Sequence, residues 1–372
     1  MPNTHVVRHH ILIVGAGEFG IATALALLQR PSYTNSHITI VDSSSTLPNP
    51  AGSSVDTNRI IRADYAAKPY CKLATQAQHH WRDQSEAGWG GQGRYHESGF
   101  VLTADTHKDY YVKEALANVR ALGDEGFEGM DQKKIEELKN REEIKKATGY
   151  EGVMGDLGYA NWNSGWADAE AVVAFALEKV ERIGGERVSL MSGRKVRRLM
   201  FNHDSKCVGA ELDDGHFKHA DLTILAAGAW TPSLIDLRGR CLATGQTLAY
   251  LDISEEELTW LKKTPVVMNM SRAMFIIPPR GRELKVARHG YGYLNPKHLS
   301  NSTNDVLDQP SDEAREVSVP KVGLKIPAEA EKACREALRE LIPSMGDRPF
   351  TRTRICWYCD TCVKPIPYLK CR

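Results

Sequence analysis

Ile11-Leu-Ile-Val-Gly15-Ala-Gly17-Glu-Phe-Gly20 runs from a short apolar strand through a glycine turn into an apolar helix that continues over residues 21–28. Gly15 permits the tight turn, Gly17 lets a pyrophosphate approach the backbone, and Gly20 lets helix and strand pack closely. The phosphates then face a helix N-terminus, where unpaired N–H groups and the macrodipole favour negative charge. A second strand, His37 to Val41, ends in Asp42, placed to accept from a ribose 2′-hydroxyl and to repel a 2′-phosphate. Strand before, helix after and acid at the second strand's end together mark a dinucleotide site. Gly88-Trp-Gly90-Gly-Gln-Gly93 has the same spacing, but no strand feeds it and no apolar helix leaves it, so it reads as a loop.

Composition sets the frame around that unit. The 372 residues, 42% of them hydrophobic, suit two domains or one large α/β body with a sizeable core. A net charge of +1 gives no reason to expect nucleic acid or a membrane surface as partner. The one dense basic run, Arg194-Lys-Val-Arg-Arg198, is interleaved with Val196, Leu199 and Met200 and reads as the solvated face of a strand. No apolar run reaches the roughly 20 residues of a membrane span, and residues 1–10 lack the apolar core of a signal peptide. The expectation is a cytoplasmic or peroxisomal protein, a monomer, with its thiols mostly reduced.

Further along, residues 68–86 read as a helix, 100–104 as a strand, and 131–147 as an exposed helix with Glu/Lys pairs at i,i+4 spacing. An amphipathic helix is expected over 168–183. Short strands follow over 188–227, with Asp213-Asp-Gly215 as a hairpin turn. The last of them, Thr223-Ile-Leu-Ala-Ala227, runs into Gly228-Ala-Trp230, where small residues let a ligand approach the strand's carboxyl end. Strands are expected over 265–270, 274–278 and 284–288, a polar loop over 300–320, and a helix over 328–341.

In order, Gly15–Gly20, Asp56-Thr-Asn-Arg59-Ile-Ile-Arg62, Asn163-Ser-Gly165-Trp166, Thr223–Trp230, Leu284-Lys285-Val-Ala-Arg-His289-Gly-Tyr-Gly and Arg354-Ile-Cys356-Trp-Tyr358-Cys-Asp360-Thr361 complete the pattern. This set resembles the FAD-dependent amine oxidases related to monomeric sarcosine oxidase, in particular the fungal branch of fructosyl amino acid (Amadori), L-pipecolate and saccharopine oxidases. The resemblance covers about residues 10 to 361. It implies an α/β fold in which a Rossmann-type FAD-binding domain (residues 10–94 and 160–235) is interleaved with a mixed-sheet substrate domain (95–159 and 236–355). It also implies oxidation of the C–N bond of a secondary amino acid, with oxygen as acceptor and peroxide as product.

The roles implied by the resemblance fall on residues whose chemistry suits them. Arg62 would clamp the substrate carboxylate, which a planar guanidinium meets bidentately. Its bland alternative is an ion pair with Asp64 or Asp56. Arg59 would lie next to the flavin. Lys285 would activate oxygen, as a fixed cation beside developing negative charge. His289 and Tyr358 would line the site, with Met274, Phe275 and Trp166 shaping the substrate pocket. Lys285, Ala287 and His289 share one strand face, since side chains alternate. Val196 would contact adenine through its backbone, Gly228 would lie close to the cofactor, and Cys356 would tether the flavin as a thioether. The bland reading of Cys356 is a buried small hydrophobe.

After Thr361 the pattern stops. The family would continue with a strand and a glycine turn into a long helix, whereas Cys362 to Arg372 reads as non-family tail. A truncated and catalytically incompetent flavoprotein is therefore the alternative. A second rival is metal: Cys356-x2-Cys359-x2-Cys362 mimics part of an iron–sulfur run, with Cys371 as distant fourth ligand. Cys356 and Cys359 are already accounted for by the oxidase pattern, so no metal is expected.

Overall fold

The computed structural model describes residues 9–237, 239–299 and 315–361. Its first layer is a parallel sheet in the spatial order Leu222–Leu225, His10–Val14, His37–Val41, Val188–Met191. Covered on both faces, its central strands need continuous apolar runs rather than alternation. Ile11, Ile13, Ile38 and Ile40 pack on the helices Glu18–Leu28 and Ala169–Gly184. Leu12, Val14 and Val41 pack on the antiparallel strands Val196–Phe201 and Cys207–Leu212. Asp168 caps the second helix, accepting from the Ala171 N–H at 3.0 Å. The Asp213-Asp-Gly215 hairpin forms as expected, with Gly215 at φ +82°.

The second layer is an eight-stranded mixed sheet. Its order is Arg352–Thr361, Cys241–Asp252, Glu283–Tyr293, Met274–Ile277, Val266–Asn269, Phe100–Ala104, Leu157–Asn161, Ile135–Leu138. Only Val266–Asn269 and Phe100–Ala104 run parallel. Its strands come from between and after those of the parallel sheet, so the two are interleaved along the chain. The helix Ala328–Leu341 places Ala330, Cys334, Ala337, Leu338 and Leu341 on one face of this sheet, against Leu284, Val286, Ala249 and Leu251. A third, small sheet joins Arg59–Ile61, Gly165–Ala167 and Tyr95–His96.

Several expectations change. The helix begun at Lys68 stops at Arg82. Residues 131–147 are not one helix: a 3₁₀ turn and the edge strand Ile135–Leu138 precede the helix Arg141–Thr148. Asn140 caps that helix, accepting from Glu143 N at 3.0 Å, and so starts it late. The strand at 284–288 extends over Glu283–Tyr293. Within the expected 300–320 loop, Arg315–Ser318 is a strand paired with Pro296–Leu299; residues 300–314 lie outside the described residues. Cys241 and Cys359 form a disulfide, so at least these two thiols are not reduced. Among the described residues no helix is long and apolar enough to cross a membrane.

Candidate active site

The glycine turn sits where the first strand meets its helix. Gly15 has φ +109°, and a Cβ there would stand 2.4 Å from the Ala226 carbonyl oxygen. A Cβ on Gly20 would stand 1.9 Å from the Gly15 carbonyl oxygen, so turn and helix close only without a side chain. Gly17 is the helix N-cap; a Cβ there would meet Ser54 Oγ at 3.1 Å. Asp42 is where the second strand ends and is 8% exposed. One of its oxygens accepts from Ala16 N at 2.9 Å, the other from Ser44 N and Asn49 Nδ2, both at 2.9 Å. The carboxylate thus also ties the glycine turn to the following loop, and about one of its four acceptor positions remains. Val196 packs beside Val14 and Val41 at the carboxyl ends of the strands. Gly228, at φ +51°, opens the 3₁₀ turn that leaves Leu222–Leu225.

The other expected residues gather on one face of the mixed sheet, opposite the helix Ala328–Leu341. Lys285 is directly across from Tyr250 and Ile277, Ala287 across from Leu248 and Phe275, and Cys356 across from Gln246. Direct opposites share a face. Alternation adds His289 and Tyr358, whose rings meet edge-on at 5.3 Å. Met274, by the same alternation, faces the other way into the helix-covered core, so it shapes no pocket with Phe275. Trp166 is buried, stacked on His96 at 4.2 Å.

Residues 52–59 lie over this face and lock it. Arg354 donates to the carbonyls of Val55 and Gly52, each at 2.9 Å. Arg59 donates to Ser53 O at 2.8 Å and to Cys356 Sγ at 3.3 Å, and pairs with Asp56 at 3.1 Å. Lys285 has no exposed side-chain surface; its Nζ donates to Asp56 Oδ2 at 3.1 Å and Asn58 O at 2.5 Å. Burial pushes the Lys285 ammonium down to about 8, with the Arg59 charge adding to it and Asp56 opposing. Burial alone would raise the Asp56 carboxyl, but Lys285, Arg59 and the Tyr250 hydroxyl, donating at 2.7 Å, hold it well below the usual carboxylate range. Tyr250 in turn lies under Arg352, whose guanidinium carbon is 3.4 Å from the ring centre.

Arg62 stands apart from that pair. It makes no ion pair among the described residues, so neither Asp64 nor Asp56 neutralises it directly. It donates to the Asp64 carbonyl and, at 3.3 Å, to the Tyr111 hydroxyl. The rings of Tyr65, Phe100 and Tyr111 lie 4.3, 5.4 and 6.0 Å from its guanidinium carbon. The Asp64 carboxyl turns away to Asn161 Nδ2 and Ser164 Oγ, both 2.9 Å. Phe275 packs both with this aromatic group and with Tyr250, Ala287 and Cys356. Solvent reaches the His289 ring, yet it lies deep among protein atoms, and desolvation depresses its pKa; the Arg62 and Arg59 charges add to this, and Asp360 opposes.

Cys356 and Cys359 are three apart in a strand, so they face opposite sides. Cys356 is a free, fully buried thiol, whereas Cys359 is bonded to Cys241. Cys362 and Cys371 lie outside the described residues.

The sequence profile of the FAD dependent oxidoreductase (DAO) family matches residues 10–369. This chain belongs to that family. The match passes Thr361, where the ordered motifs stop. Amino acid oxidase imqH of Aspergillus flavus is 29% identical, over 94% of this chain and 83% of that protein. L-saccharopine oxidase of Schizosaccharomyces pombe is 27% identical, over 94% of this chain and 80% of that one. Among solved structures, the deglycating enzyme fructosamine oxidase (Amadoriase II) of Aspergillus fumigatus superposes with a TM-score of 0.78 at 26% identity, over 96% of this chain and 77% of that one.

FAD fits the residues that this DAO-family oxidoreductase presents. The glycine turn admits a close backbone approach. In the segment whose Arg59 touches Cys356, the buried atoms Thr57 Oγ1, Asn58 Oδ1 and Arg59 Nε have no hydrogen-bond partner among the described residues, a set of donors and acceptors that a polar ring edge can satisfy. Sequence reading missed Asp56, Asn58, Tyr250 and Arg354. Arg354 had a signal, being two residues before Cys356 and so on its face. Asp56 lay inside a quoted motif, three residues before Arg59, with nothing nearby to announce Lys285 as its partner.

Proposed function

We propose that this oxidoreductase oxidises the C–N bond of a secondary amino acid, N-substituted or cyclic, with oxygen as acceptor and hydrogen peroxide as product. The observation that carries this reading is the convergence of a fully buried lysine, a free buried cysteine, His289 and Tyr358 on one sheet face, with Phe275 linking them to the unneutralised Arg62. FAD, when bound, supplies the electron acceptor for the C–N bond and the donor to oxygen. In this reading residues 10–94 and 160–235 hold the cofactor, through Gly15, Gly17, Gly20, Asp42, Val196 and Gly228, and residues 95–159 and 236–355 form the substrate side.

The remaining steps belong to side chains. Arg62 takes the substrate carboxylate with its fork while three rings fix the plane of the guanidinium. Phe275, His289 and Tyr358 confine the amine and its substituent. Arg59 holds its charge beside Cys356, and Lys285 holds a charge where oxygen is reduced. The relatives named as amino acid, saccharopine and fructosamine oxidases support a substrate of this class. The test is a panel of N-methyl amino acids, pipecolate, saccharopine and fructosyl amino acids, added without oxygen to the FAD-loaded chain. At least one should bleach the flavin band and, in air, release peroxide. Bleaching by none of them overturns the proposal.

Covalent attachment gives a separate expected result. Flavin fluorescence should survive denaturation in the parent protein, vanish from the polypeptide in Cys356→Ala, and persist in Cys359→Ala. Loss in the Cys359 variant alone would move the tether to that residue.

A further inference from the structure

We infer that Asp56 is a positioning residue that keeps the Lys285 ammonium charged and aimed in its buried site. The inference rests on the reading of Lys285 as the oxygen-side cation, and adds to it a residue on which that cation depends. The two side chains are almost wholly out of solvent, at 0% and 1% exposure, and 3.1 Å apart. A lysine taken out of water without a partner gives up its proton rather than bear the desolvation cost. Here three elements meet to prevent that. Asp56 supplies the carboxylate, and Asn58, on the same segment, supplies a carbonyl. Tyr250, on the strand beside Lys285, holds Asp56 from its other oxygen. Arg352, on the next strand, lies over Tyr250 and is itself paired with Glu283 at 2.5 Å.

The charged and titratable groups around Lys285 are Asp56, Arg59, Cys356 and, through Asp56, Tyr250 and Arg354. Of these Asp56 is the carboxylate in direct contact, and Arg59 works against the ammonium. Removing Asp56 therefore leaves Lys285 beside a guanidinium with no neighbouring carboxylate among the described residues to offset it. An opposite charge at this range is worth about 1–3 units to a lysine, so the Asp56→Asn midpoint should fall by that much.

The sign of the stability effect follows. A folded-state lysine below its unfolded value binds fewer protons than the unfolded chain between the two values, so folding is favoured as pH rises through that interval. In Asp56→Asn the interval reaches further down. Relative to the parent, the variant's folding equilibrium should lose about tenfold per pH unit as pH falls below about 8, until its own new midpoint is passed. Arg59, also left without its carboxylate, stays charged throughout and adds only a constant offset.

Urea unfolding of the full chain from about pH 6 to pH 9 reads this without any turnover. A pH-dependent offset supports the inference; an offset constant over that range overturns it. The double variant D56N/K285M should regain stability at low pH relative to Asp56→Asn. If Asp56→Asn does not fold at any pH, the double variant decides: folded supports the inference, unfolded overturns it. In the loaded enzyme, the pH at which reoxidation by oxygen weakens should move down in Asp56→Asn and return toward the parent value in Asp56→Glu. If Lys285→Met leaves reoxidation unaffected, the oxygen role of Lys285 fails, while the unfolding series still judges Asp56.

Discussion

Lys285→Met should slow reaction of the reduced enzyme with oxygen by about 10²–10³-fold, the usual loss when one preorganised charge is removed from a developing anion. Reduction by substrate in the absence of oxygen should change by no more than a few-fold. The asymmetry is expected because oxygen gains negative charge in its step, whereas in the proposed reaction the carboxylate of the substrate is met by Arg62. Methionine keeps most of the buried volume of lysine, so repacking is mild. Asp56 keeps Arg59 and Tyr250 as partners. The pH dependence has a definite sign. With the Lys285 midpoint near 8, the parent's oxygen step weakens as pH rises through about 8, and the methionine variant shows no such decline. Stopped-flow mixing reads the two half-reactions separately. Equal loss in both would take Lys285 out of the oxygen step.

Arg62→Ala should weaken binding of a carboxylate substrate by roughly 2–5 kcal/mol, the range for truncating one partner of a buried charge pair. FAD affinity should hardly change, because the dinucleotide turn is built from residues 15–20 and 42, which Arg62 does not contact. Arg62→Lys should fall between parent and alanine: it keeps the charge, but lacks the fork and stacks poorly within Tyr65, Phe100 and Tyr111. Titration of flavin absorbance with a non-reacting carboxylate analogue measures the loss. An unaltered dissociation constant would make Arg62 a structural cation of the aromatic group.

What could be read from the chain in advance was local. His10–Val14, the glycine turn and His37–Val41 need only neighbours in sequence, and their apolar runs and punctuation were plain. Phe100–Ala104 and Ala328–Leu341 were likewise bounded by turn residues and by a clear apolar stripe. The strand Cys241–Asp252 escaped notice because both of its faces are covered, one by the helix-backed core and one by the segment that carries Asp56 and Arg59. That erases alternation, and small and polar residues fill positions where bulky ones would signal a strand. Residues 131–147 misled in the opposite way, since Glu/Lys spacing that suits a helix also suits a solvated edge strand followed by a short helix. Family motifs named Lys285, His289, Cys356 and Tyr358, which share one sheet face, but drew no attention to Asp56, whose meaning depends on a partner 229 residues away.

Both neighbours of Cys241–Asp252 in the sheet are made after it. On the ribosome, Glu283–Tyr293 follows about 30 residues later, and Arg352–Thr361 about 100 residues later, some 5–20 s at ordinary synthesis rates. Between Cys241 and Leu251 there is no charged residue, so during that wait the nascent chain carries an uncharged segment with two open edges, the kind that pairs with copies of itself. Yield in a cell then depends on translation speed and chaperone supply as much as on the stability of the finished fold.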